Sequence, residues 1–258
     1  MVRSRSAVLN GGVRTEITSP RLLTNTASER ILLMMLDIPK RNRVAERREA
    51  TRAEILDAAW ELAEEKGLAE FTLRDLAERV GMRAPSLYTH FPSKHAIYDA
   101  MFGQAWTDYE QLALARLAEL PQAPRAAIRQ AARLFFDFAV AKPPRHQLMN
   151  QRTIPGFEPS ADSYAPAVRV FEMGQQIFRN LGLNDSSDFD MFTAIVAGLI
   201  NQQLANDPGG TRWSVLVERA IDLWADGLGL PPDPPTQSRP ATQLRRPRRQ
   251  TPATRSIS

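Results

Sequence analysis

Between residues 51 and 94 the apolar positions recur at helical spacing in short bursts, each bounded by start and stop signals. Ile55, Ala58, Ala59, Leu62 and Ala63 form the first stripe; Thr51-Arg-Ala-Glu54 ahead of it has the form of a capping box, and Gly67 supplies a stop. The second stripe, Leu73, Leu76, Ala77 and Val80, is opened by another capping signature, Thr72-Leu-Arg-Asp75, and closed by Gly81. Pro85 suits the first turn of a third helix, where an absent N–H costs nothing. Leu87 and Phe91 share the apolar face of that helix, with Ala84 a turn before. Pro92-Ser93 ends it and caps a fourth helix, which runs from Lys94 into Phe102 and Trp106.

The same period continues downstream. A helix is expected from Arg125 to Ala141, interrupted by Pro143-Pro144. Pro155-Gly156 and Pro159 mark a loop before a helix from Ala165 to Leu181, which Gly182 ends. Two more, Asp188 to Ala205 and Arg212 to Leu228, flank the breaker Asp207-Pro-Gly-Gly210. No stretch alternates as a strand does, so the fold class is all-α. No apolar run reaches the roughly eighteen residues of a membrane-spanning helix, and Ile31 to Leu36 is too short for a signal peptide. A cytoplasmic location without a membrane partner is expected.

The ends read differently. Residues 1–48 show no sustained period and are expected to be a disordered basic extension, in which Met34 or Met35 is a plausible true start. After Leu230 the chain turns Pro-, Thr- and Arg-rich, the composition of a disordered tail over residues 231–258. Charge follows this division. Residues 1–50 hold ten Lys/Arg against five Asp/Glu, residues 231–258 six against one, and the middle seventeen against twenty-three. Basicity therefore lies in the tails, and Arg245-Arg-Pro-Arg-Arg249 is suited to nonspecific phosphate attraction or to plain solvation. There are no cysteines and three histidines, of which His90 and His95 are five apart; neither a thiolate nor a helical metal pair is available. No nucleophile–base pair and no Gly-rich phosphate loop after a strand stands out, so no catalytic residues, metal or cofactor are assigned.

Two short helices joined by a Gly-containing turn form a helix-turn-helix pattern. Such a unit lays its second helix in the major groove, where small or flat polar side chains let the backbone approach the base edges. The third helix has that set: Pro85 and Ser86 at its start, then Tyr88, Thr89 and His90, with Arg83 in reach of a guanine edge or a phosphate. Lys94 in the first turn of a helix opposes the macrodipole, which makes sense if the site holds an anion. The same reasoning marks Arg52 and the hydroxyl of Thr72.

The stretch Phe71-Thr-Leu-Arg-Asp-Leu-Ala-Glu-Arg-Val-Gly-Met-Arg-Ala-Pro-Ser-Leu-Tyr-Thr-His-Phe-Pro-Ser-Lys94 closely resembles the N-terminal domain of the tetracycline-repressor (TetR) family of transcriptional regulators, its last eight residues most specifically. The resemblance covers about residues 50–100. It implies a three-helix DNA-binding domain over residues 49–95, joined by helix 4 to a ligand-binding and dimerisation domain over residues 96–230. It also implies that Pro85, Ser86, Tyr88 and Thr89 are recognition surface, that Tyr88, His90 and Lys94 meet the phosphate backbone, and that Leu87 and Phe91 are core. Arg83-Ala84-Pro85 departs from the family's commonest pattern.

Aromatic residues on the later helices form core in most helical proteins; the resemblance instead implies an apolar effector cavity among them, expected near Trp106, Phe135, Phe138 and Phe171. Asp137 or Arg133 would orient the ligand unless both are solvated. The last two helices carry more apolar surface than one side buries: Phe192, Ile195, Leu199, Trp213, Val217, Ile221 and Trp224 are the expected homodimer interface, with Ala197 and Gly198 permitting close approach. Packing within one chain is the other reading. The expected partners are thus a double-stranded DNA operator, a small-molecule effector and a second copy of the chain. A helical enzyme or ligand carrier whose hairpin merely packs, and an effector-free architectural DNA-binding protein, are the competing classes.

Overall fold

A computed structural model describes residues 43–234. Two compact units are distinguished, residues 1–47 and residues 48–258. Of the first, only the opening residues of α1 are described. The expectations for residues 1–42 and for the tail beyond 234 lie outside the described residues.

The described residues form helices α1 (Arg43–Lys66), α2 (Leu73–Arg79), α3 (Ala84–Leu87), α4 (Lys94–Leu117), α5 (Pro124–Ala141), α6 (Pro143–Asn150), α7 (Ala161–Asn180), α8 (Ser186–Asn206) and α9 (Val217–Gly227), with a 3-10 turn at Ser214–Leu216. No strand occurs among them. The first helix begins at Arg43, not at Thr51. Residues 43–50 are rich in Ala, Arg and Glu, strong helix formers, so Thr51-Arg-Ala-Glu54 lies inside the helix and caps nothing.

The second capping signature is real. The Asp75 amide donates to Thr72 Oγ1 at 3.1 Å, and the Thr72 amide donates to Asp75 Oδ2 at 2.8 Å. Lys66 of α1 lies 2.9 Å from Asp75, and Arg79 reaches both Glu61 and Glu65, so α2 is clamped to α1 at each end. Gly81, at φ +66°, makes the turn into α3. That helix is four residues long, with Arg83 at its N-cap, and continues as hydrogen-bonded turns: His90 N to Leu87 O at 2.9 Å, Phe91 N to Leu87 O at 2.8 Å.

Three further boundaries shift for local reasons. Pro143-Pro144 begins α6 instead of only breaking α5, because proline costs no hydrogen bond in a first turn. Capped by Ser160, α7 starts at Ala161, four residues ahead of the expected Ala165, and Pro166 sits within that helix. The helix expected from Arg212 divides into the 3-10 turn and α9.

Ile55, Leu62, Phe71, Leu76, Leu87 and Phe91 pack with Ile97, Tyr98 and Met101 of α4 in one core that runs on to Trp106 and Ala167. A second core joins Ile128, Ala132 and Phe136 of α5 to Phe178, Val196, Ile200 and Ile221. Phe192, Val217 and Ile221 belong to this second core and are buried, while Ile195, Leu199 and Trp224 pack against it half-buried. Trp213 is also half-buried, its indole nitrogen sealed. Of the residues expected at a dimer interface, Phe192, Val217 and Ile221 are thus buried within this chain against α5 and Phe178, while Ile195, Leu199, Trp213 and Trp224 keep part of their surface exposed. Facing outward instead are Met191 of α8, Leu223 of α9 and Val215 before it.

Candidate functional site

Arg83, Pro85, Ser86, Tyr88 and Thr89 form an exposed ridge along α3 and the turn after it, anchored by fully buried Leu87 and Phe91. Tyr88 is 54% exposed, its ring on the outer side of the ridge. The Thr89 hydroxyl donates to Ser86 O at 2.7 Å, which closes the turn on itself.

The ridge is held from behind by α1. Arg48 donates to Thr89 O at 3.2 Å, and Arg52, one turn later, donates to His90 O while its guanidinium lies 4.1 Å from the Phe91 ring. These carbonyls end a short helix and lack intrahelical donors; two arginines at i and i+4 supply them. Arg52 thus supports the ridge through the His90 carbonyl. Arg48 fell within the segment expected to lack structure; the i, i+4 spacing to Arg52 becomes a signal once α1 is seen to extend past it. His90 is half-buried with Nδ1 sealed and unpaired.

At the N-terminus of α4, the expected anion site, the side chains make contacts within the chain. Ser93 Oγ accepts from Ala96 N at 3.1 Å, and the Lys94 ammonium donates to Ala69 O at 3.1 Å, 4.4 Å from the Phe71 ring centroid. Burial lowers the lysine's pKa. Lys94 ties the loop before α2 to α4. The Thr72 hydroxyl is likewise engaged within the capping box.

α4 is a single helix of 24 residues, roughly 36 Å long. At its start the Tyr98 hydroxyl donates to Leu68 O, and the Tyr98 ring meets Phe71 and Phe157 edge-on at 5.8 Å each. Further along, Asp99 accepts from the amide and hydroxyl of Ser160 and from the hydroxyl of Ser163, while Glu110 takes a two-pronged Arg169 at 2.6 and 2.7 Å. Both sets fasten α4 to α7.

Beyond Tyr98, α4 forms one wall of an apolar, partly open cavity of about 390 Å³ whose other walls are α5, α7 and α8. Trp106, Phe135 and Phe171 line it as expected, together with Tyr109, Phe189 and Thr193. Phe138 does not line it; its ring is 5.0 Å from Tyr109 and lies under the Arg145 guanidinium. Nor do Arg133 and Asp137. Arg133 points to α9, where it binds Glu218 at 2.7 Å and Ser214 O at 2.6 Å, with Asp137 at 3.6 Å. Tyr109 was missed although it follows Trp106 by three positions, one helical turn on the same face. Among the described residues no group of three metal-binding side chains is assembled, and no helix is long and apolar enough to cross a membrane.

Two short helices joined by a glycine turn, with the second exposed along its polar face, form a helix-turn-helix unit. Residues 55–101 match the family model for bacterial regulatory proteins of the tetR family. Over 50 residues, 19% of this chain and 23% of the relative, the chain is 42% identical to the class D tetracycline repressor protein of Escherichia coli. Over 89 residues, 33% of this chain and 39% of the relative, it is 33% identical to the HTH-type transcriptional regulator EthR of Mycolicibacterium smegmatis. The solved TetR family transcriptional regulator PfmR of Thermus thermophilus superposes with a TM-score of 0.52 at 24% identity, over 67% of this chain and 98% of that one. These curated matches span about a quarter to two-fifths of the relatives' own length. Residues 55–101 are thus a TetR-family helix-turn-helix domain, and the chain carries the TetR-type fold.

Proposed function

We propose that the protein is a ligand-responsive transcriptional repressor that binds a palindromic operator as a dimer and leaves it when a small apolar molecule fills the cavity. The observation that carries this reading is α4, one rigid helix that packs against the DNA-reading ridge at one end and walls the cavity at the other. Arg83, Pro85, Ser86, Tyr88 and Thr89 meet the DNA, Arg83 through a base edge or phosphate; Arg48, Arg52 and Lys94 set their position from within. A cavity of about 390 Å³ is within the range of small-molecule sites. Ligand preferring a displaced α4 shifts the population away from the DNA-competent spacing, as any differential affinity must.

The dimer forms through the outward sides of α8 and α9, where Met191 and Leu223 are 55% and 63% exposed and Ala194 and Gly198 leave room for close approach. Leu223→Glu is expected to convert a dimer to a monomer in sedimentation equilibrium; an unchanged mass would remove α9 from the interface. The functional reading is tested by anisotropy titration of the protein against fragments of its genomic DNA, with and without molecules that bind the cavity. A cavity-bound molecule that leaves DNA affinity unchanged would reject the switch.

A further inference from the structure

The cavity is almost wholly apolar, yet two polar groups of α4 on its wall have no partner. Trp106 and Tyr109, one turn apart, both line it. The Trp106 Nε1–H is buried with no acceptor, and the Tyr109 hydroxyl makes no hydrogen bond among the described residues, although Tyr109 is only 8% exposed. The buried indole N–H bears the full cost of lost hydration, whereas the phenol, absent from the sealed atoms, keeps some contact with solvent. The indole nitrogen is sealed by its neighbours, so the phenol is the group with surface left to offer. Its ring is fixed between Phe135 at 4.9 Å and Phe138 at 5.0 Å, which restricts where the hydroxyl can point. Burial also raises the phenol's pKa, so it remains a neutral O–H donor at any physiological pH.

The charges around the cavity are as informative. Arg116 is the only Lys, Arg, Asp or Glu among the described lining residues, and it is half-exposed and paired with Glu119 at 2.7 Å. An anionic ligand would have to break that pair and lose hydration; a cationic one would find no carboxylate on the walls. Aromatic rings from α4, α5, α7 and α8 supply flat apolar faces.

We infer that the cavity is selective for uncharged, ring-containing molecules bearing a hydrogen-bond acceptor, of which a carbonyl oxygen is the simplest, and that the Tyr109 hydroxyl is the donor that binds it. This rests on the reading of the cavity as the effector site and specifies what that site takes.

The test is calorimetric titration of the full chain with three probes of one framework: benzophenone, its hydrocarbon counterpart diphenylmethane, and 4-benzoylbenzoate. Recovering one buried donor is worth about tenfold in affinity, so benzophenone is expected to bind about tenfold more tightly than diphenylmethane, and the carboxylate more weakly than benzophenone. Tyr109→Phe keeps the ring packing and is expected to abolish the carbonyl advantage while diphenylmethane binds as before. Equal binding of benzophenone and diphenylmethane to the wild type, or an advantage that survives in Tyr109→Phe, overturns the inference while the hydrocarbon's binding still supports an apolar site. Tightest binding by the carboxylate overturns the charge argument. Failure of all three probes to bind overturns both the inference and the effector-site reading beneath it.

Discussion

Two arginines one helical turn apart, Arg48 and Arg52, satisfy the carbonyls of Thr89 and His90 and so decide where Ser86, Tyr88 and Thr89 point. Arg83, in contrast, is exposed at the N-cap of α3 with its side chain uncommitted to any cap. The two kinds of arginine are separable by salt. A phosphate contact contributes about one unit to the slope of log affinity against log salt, and a base contact about 1–3 kcal/mol. Arg83→Ala is therefore expected to lower affinity and, if the contact is to phosphate, to flatten the slope by about one. Arg52→Ala is expected to lower affinity with the slope unchanged, since its charge faces inward. A flattened slope for Arg52→Ala would return that residue to the DNA surface. Asp75 makes a different prediction. Lys66 and the Thr72 amide and hydroxyl hold its carboxyl down to about 2, from an ordinary 3.8. A depressed carboxylate contributes stability that is full above its unfolded pKa and is lost as pH falls through the folded one. The gap in urea midpoint between wild type and Asp75→Asn should thus be constant near neutrality and shrink between about pH 4 and pH 2.

At the scale of elements, α2, α3 and α4 were legible because each start carries a local signal: the Thr72–Asp75 capping box, Pro85 in a first turn, and the Ser93 cap. Thr51-Arg-Ala-Glu54 has the same letters but stands in the middle of α1, because capping needs a non-helical residue at the cap and the preceding eight residues favour helix. Pro143-Pro144 shows the converse, since proline is tolerated in a first turn, where its missing N–H has no helical acceptor to lose; Pro166, in the second turn of α7, leaves the Asp162 carbonyl without its helical donor. Which face of α8 turns inward was not readable, since that helix is apolar on more than one side and the packing of α5 and Phe178 decides it, whereas α9 is one-sided, with Val217, Ile221 and Ala225 buried. The engagement of Arg52 and Lys94 was equally hidden, for their partners are backbone carbonyls 38 and 25 positions away. The cavity depends on one close approach between elements: a methyl group on Gly174 of α7 would lie 2.7 Å from the Phe189 ring of α8. Gly174→Ala is expected to force that ring aside, at a cost of about 1–3 kcal/mol in unfolding free energy, and to alter binding of cavity probes. A variant with wild-type stability and probe affinity would show that α7 and α8 yield freely.

At the scale of the molecule, the question is whether the cavity and the ridge communicate. α4 connects them, and the ties of Asp99 to Ser160 and Ser163, with Glu110 to Arg169, bind α7 to it. Asp99→Ala removes one tie at a position that neither lines the cavity nor belongs to the ridge. It is expected to leave probe binding intact and to reduce the change in DNA affinity that the probe causes; an undiminished response would show that α7 is not part of the linkage. All of this presupposes that the ridge reads DNA. The most direct measurement is selection and sequencing of genomic fragments that bind the purified full-length protein, run in parallel with Tyr88→Ala. The account predicts enrichment by the wild type of a two-fold symmetric site with half-sites about one helical turn apart, roughly 10 base pairs, and loss of that enrichment in Tyr88→Ala. Fragments no more enriched than the input, or an identical site recovered by Tyr88→Ala, would contradict it.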